Sequence, residues 1–326
     1  MQDFQFIERT APHLSIPLGG LIHRLVPRTL NHLTAPANRQ AIAMSRSQSH
    51  VLRRQLAALA ITMPKSLSGT IPPIFNFVYM SKKPEAFPYY ARLAVLSALH
   101  HNPGWRAIFH ITHQPVGPYW DSLKPLLTVN QVPDLDYIGI APLRHYAHKA
   151  DVIRLLALLH IGGAYLDLDS LTQKSFEPLQ KHSFVMGIQA ELPSQPGGLC
   201  NAIMLGSPNA PFAQLRLRQF QDFRSRGTDW LWDYMSVKTP ALLARKSPSF
   251  ITVLKPEAFF DPLWNKIDQV LFSESSATAQ LPNFAFHLWD NAIRTRLAQI
   301  DPAYIKTANS LYAQIARPVA KAAGDI

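Results

Sequence analysis

Two carboxylates two residues apart, Asp167 and Asp169, close the segment that runs from Gly162-Gly163 through Ala-Tyr-Leu-Asp-Leu-Asp. In an extended chain that spacing turns both to one side together with Tyr165, while Ala164, Leu166 and Leu168 take the other. One side packs; the other presents hard oxygen donors, which suit Mn²⁺ or Mg²⁺, whereas Zn²⁺ would want more Cys or His. Just upstream, Asp151 and Arg154 are three residues apart and share a helix face, with Leu155, Leu156, Leu158 and Leu159 covering the buried side. An arginine fork can reach sugar or phosphate oxygens, and a carboxylate can accept from sugar hydroxyls. A carboxylate-arginine helix, a Gly-Gly turn and a carboxylate strand together point to a metal-dependent site for a nucleotide-activated sugar, whose departing diphosphate gains negative charge.

The elements that must position these groups read as an alternation of strands and helices. Ile74 to Tyr79 is a buried strand, Tyr89 to His101 an apolar-periodic helix ended by Asn102-Pro-Gly, and Trp105 to Thr112 a second strand. Such alternation predicts a mostly parallel sheet with helices on both faces, and ligands in such sheets sit beyond the carboxyl ends of the strands, where Tyr79 and Asp169 fall. Beyond Ile251-Thr-Val-Leu-Lys-Pro the pattern weakens. A second pair of the same spacing, Asp134-Leu135-Asp136, follows Pro133 with no helix or Gly-Gly approach, and is expected to be a solvated loop or strand edge.

From Asp151 to Asp169 the chain resembles the DxD glycosyltransferases of family 32. These include initiating Golgi mannosyltransferases and glycolipid α1,4-galactosyltransferases, with the glucosyltransferase domains of large bacterial toxins as distant relatives. The shared pattern is Ser-Asp-x-x-Arg, an apolar helix, then Gly-Gly-x-Tyr-x-Asp-x-Asp, with Ala150 here in place of the Ser. Weaker likenesses extend it from about residue 70 to about residue 295. Ile71-Pro-Pro-Ile-Phe-Asn-Phe-Val-Tyr79 resembles the opening strand, with Asn76 for a usual His and Tyr79 for a usual Trp. Asn201-Ala-Ile-Met, Thr239-Pro240 for a Gly-Pro, and Phe286-His287-Leu-Trp289 resemble later family segments.

The resemblance implies an α/β fold, a single nucleotide-sugar-binding Rossmann-like domain of the GT-A type. It makes Asp169 the direct metal ligand, Asp167 a bridge between metal and ribose or sugar hydroxyls, and His287 a third ligand; on residue type alone His287 would be a core histidine in an aromatic strand. It puts Tyr79 against the base and Trp289 near the leaving diphosphate, and includes Phe77, Val78, Tyr165 and Asn201 among the donor-binding positions beside Asp151 and Arg154. Anomeric configuration would be retained, the leaving diphosphate helping to deprotonate the acceptor. A UDP-sugar is the favoured donor with GDP-mannose as the alternative, and the acceptor is a glycan, lipid or protein.

Composition fits one catalytic domain, residues 69–326, behind a basic and helical extension, residues 1–68. Through Lys65 the chain carries eight Lys or Arg against two Asp or Glu, a large part of the formal +11. Arg39, Arg46, Arg53 and Arg54 flank Ala41 to Met44 and Leu56 to Met63, as in a basic amphipathic helix that either lies on an anionic membrane surface or packs on the catalytic domain. No stretch approaches the ~18 apolar residues of a membrane span, and Asp3, Glu8, Pro12 and Pro17 break up any signal-peptide pattern. These features imply a cytoplasmic protein, with the inner face of a membrane as its place under the first of those two alternatives. The lone Cys200 sits beside an apolar run and reads as packed core. Lys and Arg are scattered with no aromatic-basic stacking motif, so nucleic acid is not an expected partner. Two other readings are an aspartyl-nucleophile phosphatase, which would want Thr or Val where Leu171 stands, and a non-catalytic basic protein that binds membranes or glycans.

Overall fold

The computed structural model describes residues 36–63, 69–138, 141–189, 197–220, 223, 233–274 and 281–326; residues 1–35 and 64–68 of the extension lie outside them. In chain order the elements are α1 (Pro36–Thr62), β1 (Ile74–Tyr79), α2 (Tyr89–His101), β2 (Arg106–Ile111), α3 (Pro118–Leu123), β3 (Leu127–Gln131), β4 (Tyr137–Ile138), β5 (Ala141–Pro142) and α4 (Tyr146–His160). They continue with β6 (Gly163–Leu166), β7 (Ser170–Thr172), β8 (Phe184–Gln189), β9 (Gly198–Gly206), α5 (Pro211–Gln219), α6 (Thr239–Lys246), β10 (Thr252–Leu254), β11 (Ala285–His287), α7 (Asp290–Leu297), α8 (Pro302–Thr307) and α9 (Leu311–Ala322).

Seven strands form one sheet in the order β10-β8-β9-β6-β1-β2-β3. Four of its neighbouring pairs are parallel and the two made by β9 are antiparallel, which is the mostly parallel mixed α/β architecture expected. β1 is central and reads Ile-Phe-Asn-Phe-Val-Tyr, an unbroken apolar run but for Asn76, because both of its faces are covered. One face meets a core that includes Phe75, Phe77, Leu93, Phe109 and Tyr312, the other a core that includes Ile74, Leu156, Phe184 and Phe212. The odd polar residue in β1 has partners. Asn76 donates to Gly162 O at 2.9 Å and meets His110 Nε2 at 3.2 Å, and His110 meets Asn130 at 2.9 Å. Burial drives His110 down to about 3, so it is a neutral rung in this ladder across three strands.

The Gly-Gly turn is demanded by space as well as by conformation. Gly162 and Gly163 sit at φ +77° and +100°, and a Cβ on Gly163 would stand 2.2 Å from Ile74 O in β1. Gly163→Ala should therefore destabilise the protein by at least about 2 kcal/mol in urea unfolding, because neither the backbone conformation nor β1 can yield cheaply. An unchanged midpoint would show that β6 can enter the sheet by another path.

One expectation is corrected. The strand was expected to run through Asp169, but β6 ends at Leu166. Asp167 N still bonds Ala202 O at 2.8 Å, and the chain then turns, with Ser170 Oγ donating to Asp167 O at 2.7 Å, so that β7 pairs with β11 in a separate two-stranded sheet. Asp134-Leu-Asp136 is the loop expected, with side chains 39% and 49% exposed, and it has a further role. Lys149, buried in the first turn of α4, reaches Asp134 at 2.5 Å and Asp136 at 3.7 Å, while Gln48 of α1 bonds Asp134 O and the Asp136 carboxylate at 2.9 and 3.0 Å. A buried ammonium needs its counter-charge, and this pair supplies it. The same clasp holds α1, whose Leu52 and Leu56, with Met63 just past its end, bury against the α4 side of the core. Arg46, Val51, Arg54 and Ile61 remain on its outer face.

Candidate active site

β6 and β1 run the same way, so the turn after Leu166 and the end of β1 at Tyr79 open on one edge of the sheet. β11 lies antiparallel to β7 with His287 opposite Ser170, and this register carries the imidazole to the carboxylates. Asp167, Asp169 and His287 each offer a ligand atom within 4.8 Å of the others. His287 Nε2 stands 3.3 Å from Asp169 Oδ2 and 3.9 Å from Asp167 Oδ2. Asp169 Oδ2 also accepts from Asp290 N at 2.7 Å, while Leu288 N bonds Asp169 O at 2.7 Å. Both contacts flank Trp289, which is held in the left-handed region at φ +59°. A non-glycine there costs of order 1–3 kcal/mol and is kept where surrounding bonds fix it, as these two do.

Behind Asp167 lies a buried polar hub. Arg154 Nη1 is 3.2 Å from Asp167 Oδ1 and 3.0 Å from Asn201 O, and Nη2 is 3.6 Å from Asp151 Oδ1. Asn201 Nδ2 donates to Asp151 Oδ1 at 2.7 Å, and Tyr165 donates its hydroxyl to Asp167 Oδ1. The guanidinium also lies over the Tyr165 ring, 4.3 Å from its centre. Asp167 Oδ1 is thus occupied by Arg154 and Tyr165, which leaves Oδ2 turned towards His287 and Asp169.

The electrostatics follow from this layout. Burial, and then the charge of Asp169, hold Asp167 above the usual carboxylate range against the pull of Arg154. Burial would raise Asp169 too, but the charge and hydrogen bond of His287 and the Asp290 amide prevail and keep it below that range. Burial acts most strongly on His287 and lowers it, but the charge and hydrogen bond of Asp169 with the charge of Asp167 together prevail, so it ends above its ordinary value. Two crowded carboxylates and an imidazole with Nε2 aimed between them are a donor set that a hard divalent cation satisfies, since its charge relieves the repulsion that lifts Asp167.

The sequence-derived residues are brought together in the main. Asp151, Arg154, Tyr165, Asp167, Asp169, Asn201 and His287 form one connected group, although Asp151 and Arg154 are only 4% and 5% exposed and sit behind Asp167. Asp167 and Asp169 keep side-chain exposures of 25% and 15% and face the opening. Trp289 joins them, its ring 4.2 Å from that of His287. Tyr79 ends β1 half-buried, leaning on Phe87 and Phe109. The side chain of Phe77 is in the core against Phe109, and that of Val78 is buried in the opposite layer, so as donor-binding positions they have only their backbone to offer. Cys200 is buried core, its thiol pushed up to about 12. Asp290 was not foreseen. It acts through a backbone amide, which leaves no mark in a sequence.

Residues 88–185 match the family described as glycosyltransferase sugar-binding region containing DXD motif. The chain is 34% identical over 273 residues to glucan organizing enzyme 1 of Cryptococcus neoformans var. grubii, covering 78% of this chain and 72% of that protein. It is 29% identical over 107 residues to the mannosyl phosphorylinositol ceramide synthase CSH1 of Saccharomyces cerevisiae, covering 32% of this chain and 25% of that protein. Among solved structures it is similar to the galactosyltransferase LgtC at a TM-score of 0.40 and 13% identity, covering 76% of this chain and 95% of that one, a likeness too loose to carry an argument.

Proposed function

Because the chain belongs to the family of glycosyltransferases whose sugar-binding region contains a DXD motif, we propose that it transfers a hexose from a nucleotide-sugar donor with the help of a divalent cation, Mn²⁺ or Mg²⁺, held by Asp167, Asp169 and His287. The observation that carries the metal assignment is the convergence of those three side chains within 4.8 Å at the sheet edge. A bound cation would offset the charge that the diphosphate gains as the sugar–phosphate bond breaks. Arg154 and Tyr165 orient Asp167, Asp290 N orients Asp169, and Asp151 with Asn201 holds Arg154 in place. In this reading a UDP-sugar is favoured over GDP-mannose, configuration is retained, and the acceptor is a glycan, lipid or protein. Family membership favours transfer over an aspartyl-nucleophile phosphatase or a non-catalytic binder.

The test is sugar release from a panel of UDP- and GDP-sugars with Mn²⁺, followed by NMR so that the anomer is read as it forms. Slow release of one sugar with its configuration kept is expected. Release of inorganic phosphate without free sugar would sink the proposal.

Metal affinity should rise with pH. A cation must displace the proton on His287, whose value lies above 6.5, so affinity should climb by about ten-fold per unit until that raised value is passed. The metal-free protein behaves in the opposite sense. The imidazolium stabilises it fully below pH 6.5 and fades as pH rises through the raised value; Asp169, held below 3.8, contributes above pH 3.8 and loses its effect as pH falls through its lowered value. Melting temperatures with Mn²⁺ and with EDTA should therefore diverge as pH increases. A constant difference from pH 5 to 8 would remove His287 from the ligand set.

No helix of the described residues is long and apolar enough to cross a membrane. The proposed membrane partner is an anionic surface met by the outer face of α1, with the protein cytoplasmic and peripheral. Sedimentation with phosphatidylserine vesicles at low salt should carry the full chain down, and Arg46→Glu with Arg54→Glu should release it; vesicles that never bind would end this part of the reading.

A further inference from the structure

α2 approaches the site from the sheet face opposite to α4, and its second residue is Tyr90. Thr172 in β7 donates its N–H to Ser97 Oγ at 3.1 Å, which fixes α2 along β7. Tyr90 precedes Ser97 by seven residues, two helical turns or about 10.5 Å along the same face. Asp169 precedes Thr172 by three residues, about 10 Å of extended chain. Asn102 Oδ1, just past α2, accepts from Phe176 N at 2.6 Å, so helix and strand run the same way and the matching offsets set Tyr90 near Asp169. Tyr89 turns the other way, donating to Asp325 Oδ2 at 2.9 Å in the α2–α9 interface.

Three further observations define what Tyr90 can do. A phenol, whose ordinary value is about 10, keeps its proton at neutral pH and can donate. The ring packs against the same core layer as Tyr79 at the end of β1, on the side where the offset places Asp169. Of the nearby carboxylates, Asp290 Oδ2 pairs with Arg294 at 2.8 Å, and Asp169 Oδ2 is taken by His287 and the Asp290 amide. Among the described residues no hydrogen bond reaches the Tyr90 hydroxyl. A half-buried protonated donor between a base platform and a cation site, with no protein acceptor of its own, faces whatever spans the two.

We propose that the Tyr90 hydroxyl donates a hydrogen bond to the diphosphate of the nucleotide-sugar donor, a contact that strengthens as the diphosphate departs with its full charge. This rests on the donor reading above, in which the base meets Tyr79 and the cation meets Asp169, so that the phosphate chain occupies the interval. Tyr90 would then contribute to the chemical step as well as to binding.

The experiment compares wild type and Tyr90→Phe on the full chain in Mn²⁺, by calorimetric titration with UDP, GDP, UMP and GMP, by donor hydrolysis and by melting temperature. The variant should bind whichever nucleoside diphosphate the wild type prefers about ten-fold more weakly, leave the matching monophosphate unchanged, and lower kcat by about 10- to 100-fold, as for loss of a hydrogen bond to a charged group. The melting temperature should not move. Equal weakening of diphosphate and monophosphate would assign Tyr90 to the base or ribose and overturn the proposal, as would unchanged affinity and kcat. A wild type that binds neither diphosphate in Mn²⁺ would overturn the donor reading beneath it, so the two failures are told apart.

Discussion

Asp169→Asn should reduce metal-dependent turnover of the nucleotide sugar by about 10³-fold, while Asp134→Asn should leave turnover intact and lower the melting temperature. The two residues open on the same spacing of carboxylates, so the comparison controls for charge and for residue type. Asparagine at 169 can still accept from Asp290 N, which preserves the loop, but it removes the charge that holds His287 above its ordinary value and that a divalent cation requires. Loss of one preorganised electrostatic group commonly costs 10²–10³ in rate, and loss of a metal ligand stands at the upper end of that range. Asp134 instead neutralises Lys149 at 2.5 Å and helps to hold α1, so its neutral variant leaves a buried ammonium with only Asp136 at 3.7 Å, far from the chemistry. Kinetics and thermal melts of both variants decide this. An active Asp169→Asn enzyme, or equal kinetic losses from the two, would remove the site assignment.

Arg154→Lys should be nearly as damaging as Arg154→Met, although it keeps the charge. The guanidinium meets Asp167, Asp151 and Asn201 from a single planar fork and lies on the Tyr165 ring, and an ammonium cannot reach several acceptors in that geometry. Asp151 is already raised by burial, with Arg154 as the chief opposing influence, so without the fork it should take up a proton and release Asn201. We expect a stability loss of about 3–5 kcal/mol for the Met variant, that being the usual consequence of removing one partner from a buried charged group, and a fall of about 10²-fold or more in kcat for both. Urea unfolding and single-turnover hydrolysis read the two quantities separately. A Lys variant with wild-type kcat would show that Arg154 supplies charge alone.

The parts of the site that were legible in the sequence are those whose geometry is local. Asp151 and Arg154 meet because they are three apart on a helix. Tyr165 and Asp167 share a side because strands alternate, and Gly162-Gly163 marks a turn that only glycine can make. The alternation ran too far, however, because the end of β6 is set by the turn that Ser170 closes and by the pairing of β7 with β11, more than a hundred residues away. His287 was placed by resemblance; nothing in an aromatic strand reveals that its register will deliver Nε2 to Asp169. The contacts made by Asp134 and Asp136 were hidden for the same reason. Its partner Gln48 is 88 residues from Asp136, and no local pattern announces a clasp of that kind. Phe77 shows a different limit, since likeness to a donor-binding strand does not say which side chains of that strand face the core.

The most direct measurement is a calorimetric titration of the full chain with UDP and with GDP, each in Mn²⁺ and in EDTA. One of the two nucleotides should bind in Mn²⁺ and lose its affinity in EDTA, because Asp167, Asp169 and His287 can hold the diphosphate only through a shared cation. Equal affinity in EDTA, or no binding of either nucleotide in Mn²⁺, would contradict a metal-dependent nucleotide-sugar site at the end of β6.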